Sequence, residues 1–257
     1  MLKRIIFCLY FKDGYFYLSR NFKLQKVGDL EWLINNFKFQ NTSTYVDELM
    51  IIQVKRNPTK TDNKFFLETI NKLRKTIFVP ITLGGGIRTL FIAQKFFENG
   101  ADKIILNTCC FENINIIEKI SDKFGAQAIS ISIDYKNENG QIKLFSNSGT
   151  KKENVNFINF LNILEKKNCG EIVLNSMDYD GTGQGMDKNI LLRLKKNFKK
   201  PLLLMGGAGK YDHFKIILKN PKVSGVITAN LFNFLGDGLK KTRENLIKSG
   251  INVAKLL

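Results

Sequence analysis

Residues 80–88, PITLGGGIR, compress a buried strand, a three-glycine turn and a helix start into nine positions. Phe78, Val79, Ile81 and Leu83 form a short apolar, partly β-branched run without helical period, as expected of a parallel strand covered on both faces. Gly84, Gly85 and Gly86 then permit a sharp turn and leave their N–H groups bare. A helix beginning near Thr89 would aim its positive end at whatever lies over that turn. Taken alone, the segment is either a phosphate cradle or a tight βα turn that holds nothing. It recurs, however: residues 201–210, PLLLMGGAGK, repeat the strand, the glycines (Gly206, Gly207, Gly209) and the helix start. The segments that follow also answer each other, ADKIILNT at 101–108 and VSGVITAN at 223–230. Two copies about half a chain apart predict a duplicated half-barrel with one phosphate site per half, suited to a ligand phosphorylated at both ends.

The 257 residues fit one α/β barrel, for which about 250 is typical, and 4 prolines with no Pro/Ser-rich linker argue for a single domain over 1–257. A hydrophobic share of 44% supports a large core. The net charge of +17 raises nucleic-acid binding, but the lysines are scattered among Asn, Ile and Phe on helical faces, which suits a solvated basic surface. That excess still favours a phosphorylated or acidic ligand and an acidic partner. Cys8, Cys109, Cys110 and Cys169 lack metal-ligand spacing and there is one histidine, His213, so no metal is expected and a reducing, cytoplasmic setting is. The apolar run in MLKRIIFCLYFKDG is too short for a membrane span and reads as a first strand.

Strands are predicted at 4–10, 48–54, 77–83, 103–107, 128–134, 171–176, 201–205 and 225–229. Helices are predicted at 29–39, 62–76, 89–99, 113–124, 156–168, 187–198, 211–218 and 238–249. Strict alternation of eight βα units points to a closed (β/α)8 TIM barrel; a doubly wound open sheet is the competitor, and the half-chain repeat favours closure. Chemistry then belongs at the C-terminal ends of the strands. Asp134 stands there at the end of ISISID, with no helix beginning after it to be capped. Asn107 and Thr108, Ser148 and Gly149 in a long loop, and the run DYDGTGQG at 178–185 gather at the same end. At the opposite end Arg4, Glu48, Lys103 and Glu171 begin their strands and would ring the lower mouth with alternating sign. Such a ring is either a stabilising cap or a gate for a small polar molecule.

Taken together, these residues resemble the cyclase subunit of imidazole glycerol phosphate synthase, the HisF-type barrel of histidine biosynthesis. The likeness rests on KRIIFCL, KDG at 12–14, LGGGI, ADKIILNT, FGAQAISISID, SGTKK, GEIVLNSMDYDGT, GGAGK with His213 and Phe214, and SGINV, in order and nearly end to end. The resemblance implies a lyase-type synthase barrel that receives ammonia from a class I glutaminase docked at its lower end, without cofactor. The Arg4, Glu48, Lys103 and Glu171 ring would be the ammonia gate, and Asp102 and Gln127 would face the partner. Gly86, Asn107 and Thr108, beside Gly85, would hold one phosphate; Asp180, Gly181, Gly207, Ala229 and Asn230, beside Gly206, would hold the other.

One departure bears on the chemistry. The family pairs aspartates at the ends of its first and fifth strands; Asp134 matches the second, but where the family pattern reads CLDVKDG this chain reads CLYFKDG, placing Tyr10 at the first. A phenol with a pKa of ~10 is a poor base at neutral pH. Gln53 and Leu18 likewise replace a family aspartate and a loop lysine. This combination resembles the WbuZ-like, glycosyl amidation-associated HisF paralogues, which work with a glutaminase and an amidating ligase on surface sugars. The resulting expectation is a heterodimeric, ammonia-receiving barrel serving amidination of a phosphorylated or nucleotide-linked sugar. A histidine-pathway cyclase and a non-catalytic scaffold that activates the glutaminase are the rivals, and neither membrane nor nucleic acid is expected as partner.

Overall fold

The computed structural model describes residues 2–37, 44–229 and 237–255. Among them, eight parallel strands close on themselves: β1 (Arg4–Lys12), β4 (Glu48–Gln53), β5 (Ile81–Gly84), β6 (Lys103–Leu106), β7 (Ile129–Glu138), β10 (Glu171–Ser176), β11 (Leu202–Met205) and β12 (Val223–Thr228), with β12 pairing back onto β1. The expected (β/α)8 barrel is the fold. Alternation inside each strand sorts the core in two. Ile6, Cys8, Tyr10, Met50, Ile105, Val173, Leu203, Met205 and Ile227 fill the bore. A larger apolar shell, including Leu49, Ile51, Phe66, Ile131 and Phe214, lies between the strands and the helices. Each such side chain taken out of water contributes roughly 1.5–3 kcal/mol.

The helices pack as the apolar periodicity requires, with local signals at their ends. Thr59 and Asp62 form a reciprocal capping box on helix Lys60–Arg74, worth about 1 kcal/mol, and Thr89 caps Leu90–Glu98. Phe66, Ile70 and Leu73 of the first of these helices face the barrel. The last described helix, Gly238–Lys248, is tied down by the fully buried Arg243, which donates to Asp47 Oδ2 at 2.7 Å and to the carbonyls of Tyr45 and Ala254. No helix among the described residues is long and apolar enough to cross a membrane.

Four expectations need correction. The predicted helix at 187–198 is a single 3₁₀ turn, Asn189–Arg193, because Ile190, Leu191 and Leu194 already reach the core from it and the lysines beyond bring little to bury. The predicted helix at 113–124 starts at Ile116, after a separate short helix Thr108–Glu112, because Asn113 is extended. The first strand runs past Tyr10 and folds back as the hairpin β2 (Tyr15–Arg20)–β3 (Lys23–Gly28). The fifth barrel strand does not stop at Asp134 either: β7 continues to Glu138 and pairs with β8 (Gln141–Ser146), which pairs with β9 (Lys151–Glu153). Asp134 still marks the mouth, since parallel pairing with β10 ends at Asp134–Asn175 and Tyr135–Ser176.

The half-chain repeat is visible in the backbone. Gly85 and Gly206 both have positive φ, 102° and 99°, and at both a Cβ would strike the carbonyl oxygen of the residue ending the preceding barrel strand, Gln53 at 2.0 Å and Ser176 at 2.6 Å. Both turns therefore need glycine for the same two reasons, conformation and close approach.

Candidate functional site

At the lower mouth the four charges form a closed ring. Glu48 meets Arg4 at 3.0 Å and Lys103 at 2.8 Å; Glu171 meets Lys103 at 3.3 Å and pairs with Arg4. Both carboxylates are buried, and each also accepts a hydroxyl, Glu48 from Thr82 and Glu171 from Ser130 at 2.7 Å. Burial alone would raise the Glu171 carboxyl, but Arg4 and Lys103 outweigh it and hold the group below its ordinary range. Above the ring the bore is lined mainly by the apolar Ile6, Met50, Ile105, Val173, Leu203 and Ile227, with Ser132 on the β7 side.

Around the same mouth, Asp102 and Gln127 are exposed and precede β6 and β7. Asp102 Oδ2 accepts the Ile81 N–H at 2.8 Å, which fixes the start of β5. Phe78, just before β5, is 95% exposed. These three residues sit at the N-terminal ends of adjacent strands, so they form one stretch of the lower rim. The strand predicted at 77–83 begins only at Ile81, so Phe78 lies outside it.

At the upper mouth two cavities lie side by side, of about 610 Å³ and about 200 Å³. The larger is lined by Tyr10, Asp134, Gly85, Gly86, Asn107, Thr108 and Ser148, and the smaller by Asp180, Gly181, Gly206, Gly207 and Ala229. Ser19 and Met205 border both. The two glycine turns thus face one composite opening from opposite sides. Asn230 lies outside the described residues. Lys12 and Arg56 bring positive charge to the larger cavity, whereas Lys55 there pairs with Asp13 and Asp62 and Arg88 pairs with Glu112; these loops converge only in the closed barrel.

Two details differ from expectation. Asp180 borders the smaller cavity, but its carboxylate is occupied: Oδ2 accepts the Ser19 hydroxyl at 2.5 Å and the Phe22 N–H at 2.9 Å, and its carbonyl accepts the Asn21 N–H. Through Oδ2 it latches the β2–β3 hairpin. Gly181 touches the same hairpin closely enough that a Cβ would lie 2.1 Å from the Ser19 oxygen. In the second glycine turn, the Gly209 N–H donates to His213 Nδ1 at 3.0 Å and is not free for a ligand. Burial, followed by nearby Lys210, lowers the His213 pKa, so the imidazole is neutral and able to accept.

Tyr10 and Asp134 share the larger cavity with Asn175. Asp134 Oδ1 accepts from Asn175 Nδ2 at 2.9 Å and from Ser132 Oγ at 3.2 Å. Burial pushes the Asp134 pKa up to about 6; the two donors pull it down and the Asp180 charge pushes it up further. The carboxyl therefore changes state near neutrality, as a proton-transfer group should. Burial, reinforced by Cys8, Asp180 and Asp134, holds the Tyr10 phenol well above its ordinary value. Tyr10 is consequently a donor and not a base. Asp180 is the second acid within electrostatic reach, and the hairpin holds its carboxylate. Gln53, ending β4, donates to Asn63 Oδ1 at 3.2 Å, and Leu18 packs beside the smaller cavity. The described residues contain no group of three His, Cys, Asp or Glu placed to hold a metal.

The upper mouth of this closed (β/α)8 barrel thus brings together two glycine turns and the buried Asp134 carboxyl. The chain belongs to the histidine biosynthesis protein family, whose model matches residues 4–237. It is 44% identical over 242 residues, 94% of this chain and 89% of the relative, to a protein of Parasynechococcus marenigrum provisionally named imidazole glycerol phosphate synthase subunit hisF2. It is 34% identical over 255 residues to the imidazole glycerol phosphate synthase subunit HisF of Sulfurisphaera tokodaii, covering 98% of both chains. The corresponding HisF subunit of a Thermotoga species is 32% identical over 255 residues, again 98% of both.

Proposed function

We propose that this chain is a HisF-type barrel subunit that takes ammonia from a glutaminase docked on its lower mouth and delivers it to a phosphorylated ligand at the upper one. The observation that carries this reading is the continuity of one axis: a charged ring at the entrance, an apolar bore above it, and a near-neutral carboxyl between two glycine turns at the exit. An apolar bore suits neutral ammonia and excludes ammonium, whose desolvation would be costly. Ammonia passes when the ring parts at its longest edge, Lys103–Glu171 at 3.3 Å. The exposed Phe78, with Asp102 and Gln127, gives the glutaminase an anchor beside that edge. Gly85, Gly86, Asn107 and Thr108 hold one phosphate, and Gly206, Gly207, Ala229 and Asn230 the other. Asp134 takes and returns a proton.

In its finer form, the acceptor is a phosphorylated or nucleotide-linked sugar undergoing amidination for surface-polysaccharide synthesis, in concert with an amidating ligase. The support is Tyr10, a neutral phenol at the position where the cyclase pattern has a second carboxylate. The test is direct: supply the chain and its glutaminase with the phosphoribulosyl substrate of the cyclase. Glutamine hydrolysis without imidazole glycerol phosphate is expected, and efficient imidazole formation would return the chain to histidine biosynthesis. That second reading draws on the names of its relatives and on the near-neutral Asp134.

A further inference from the structure

Asn175 carries an oddity that the site described so far does not use. Its side chain is buried, 6% exposed, with Nδ2 committed to Asp134, while Oδ1 is shut from solvent and has no hydrogen-bond partner among the described residues. Native structures leave few buried acceptors unpaired, and each calls for a reason. Rotating the amide by half a turn would free Nδ2 for other partners, but it would set a carbonyl oxygen against the carboxylate. The observed orientation keeps an N–H on Asp134 and leaves Oδ1 unpaired.

Both donors to Asp134, Asn175 Nδ2 and Ser132 Oγ, converge on the same oxygen, Oδ1. Oδ2 receives none from the described residues, and Asp134 borders the larger cavity. Register makes this arrangement possible: Asn175 is the direct β10 partner of Asp134, and Ser132 is two residues before it on the same face of β7. Lys12, Lys55, Arg56 and Arg88 line the same cavity, but no described cation is among the groups that shift the Asp134 carboxyl. β1 contributes Tyr10 and Cys8, the β10–β11 loop contributes Asp180, β11 contributes Met205, β8 sets Phe145 opposite, and β6 leads to Asn107, which is committed to the Ser132 carbonyl at 3.1 Å.

We infer that Asn175 is a positioning residue: with Ser132 it pins Asp134 Oδ1 and so designates Oδ2 as the oxygen that exchanges the proton with the ligand. Two neutral donors stabilise the ionised form without neutralising it, so Asp134 stays poised between states. The role rests on Asp134 being the proton-transfer group of the proposed reaction, but its test needs neither acceptor nor glutaminase.

The test follows the Asp134 carboxyl by ¹³C NMR across pH in aspartate-labelled full chain, with the Asp134→Asn spectrum identifying its resonance. Asn175→Leu removes one donor and Ser132→Ala the other. Each is expected to raise the Asp134 midpoint above the wild-type value, by about one pH unit for the amide. Asn175→Asp keeps size and shape and puts a second carboxyl in bonding contact, which is expected to split the pair into one lower and one clearly higher midpoint. This variant decides the matter should Asn175→Leu fail to fold. An Asp134 midpoint that stays at the wild-type value in folded Asn175→Leu, or in Asn175→Asp, would overturn the inference. A shifted midpoint combined with no ammonia transfer in the glutaminase assay would leave Asn175 in place and dismiss the proposed reaction.

Discussion

At the lower mouth Glu48 and Glu171 each touch both Arg4 and Lys103; at the upper mouth Asp134 and Asp180 touch only hydroxyls, an amide and a main-chain N–H. All four carboxylates are buried, yet the outcomes diverge. Cation pairing keeps Glu171 ionised, while neutral donors leave Asp134 near 6 and Asp180 raised. Full compensation makes a rigid closure that opens only when something breaks it. Partial compensation makes a group that can change charge, and this is the physical difference between the two mouths.

The sharpest way to break that division is Asp134→Asn. In an assay of the completed glutaminase complex, its loss should reduce acceptor turnover by about 10²–10⁴-fold while glutaminase activity persists. At the entrance, Glu171→Gln strips Arg4 and Lys103 of a shared buried partner. The expected cost is about 3 kcal/mol in urea unfolding, far more than an exposed ion pair would show.

The same comparison predicts opposite pH signatures. Asp134 has a folded pKa raised above the unfolded value of ~3.9, so the native state binds the extra proton and stability falls as pH rises from about 4 through about 6. Asp134→Asn should remove that loss and gain about 3 kcal/mol at pH 7, measured by urea titration at several pH values. Glu171 has a depressed folded pKa, so its contribution is present above the unfolded value of ~4.3 and disappears as pH falls through the folded one. Glu171→Gln should therefore flatten the acid limb instead. Smallest is Phe78→Ala. It should leave stability unchanged and weaken the glutaminase complex about tenfold in a binding titration.

Much of this was legible in the chain. Buried parallel strands are near-continuous apolar runs, and PITLGGGIR and PLLLMGGAGK announce their turns because only glycine tolerates the positive φ and close carbonyl at Gly85 and Gly206. The lower ring was readable because all four residues begin strands, and closure forces strand beginnings together. The β7–β8 hairpin was readable too, since Asn139 and Gly140 take the positive φ values of 50° and 83° that an Asn-Gly turn favours. Reading the segment as a loop overlooked that signal. The β2–β3 hairpin turns on Asn21 and Phe22, φ 50° and 61°, and a phenylalanine there carries no turn signature.

By itself the sequence determined the barrel, its internal repeat, the two glycine turns and the alternating charges of the lower mouth, because each is encoded by local periodicity or by a residue with few conformational options. The tertiary structure alone decided that Asp180 latches the β2–β3 hairpin, that Phe78 faces outward, and that Asn175 and Ser132 meet on one oxygen of Asp134. Those facts depend on which side chains converge when eight strands close, and on how far burial moves a charge, neither of which is written in the spacing of residues along a chain.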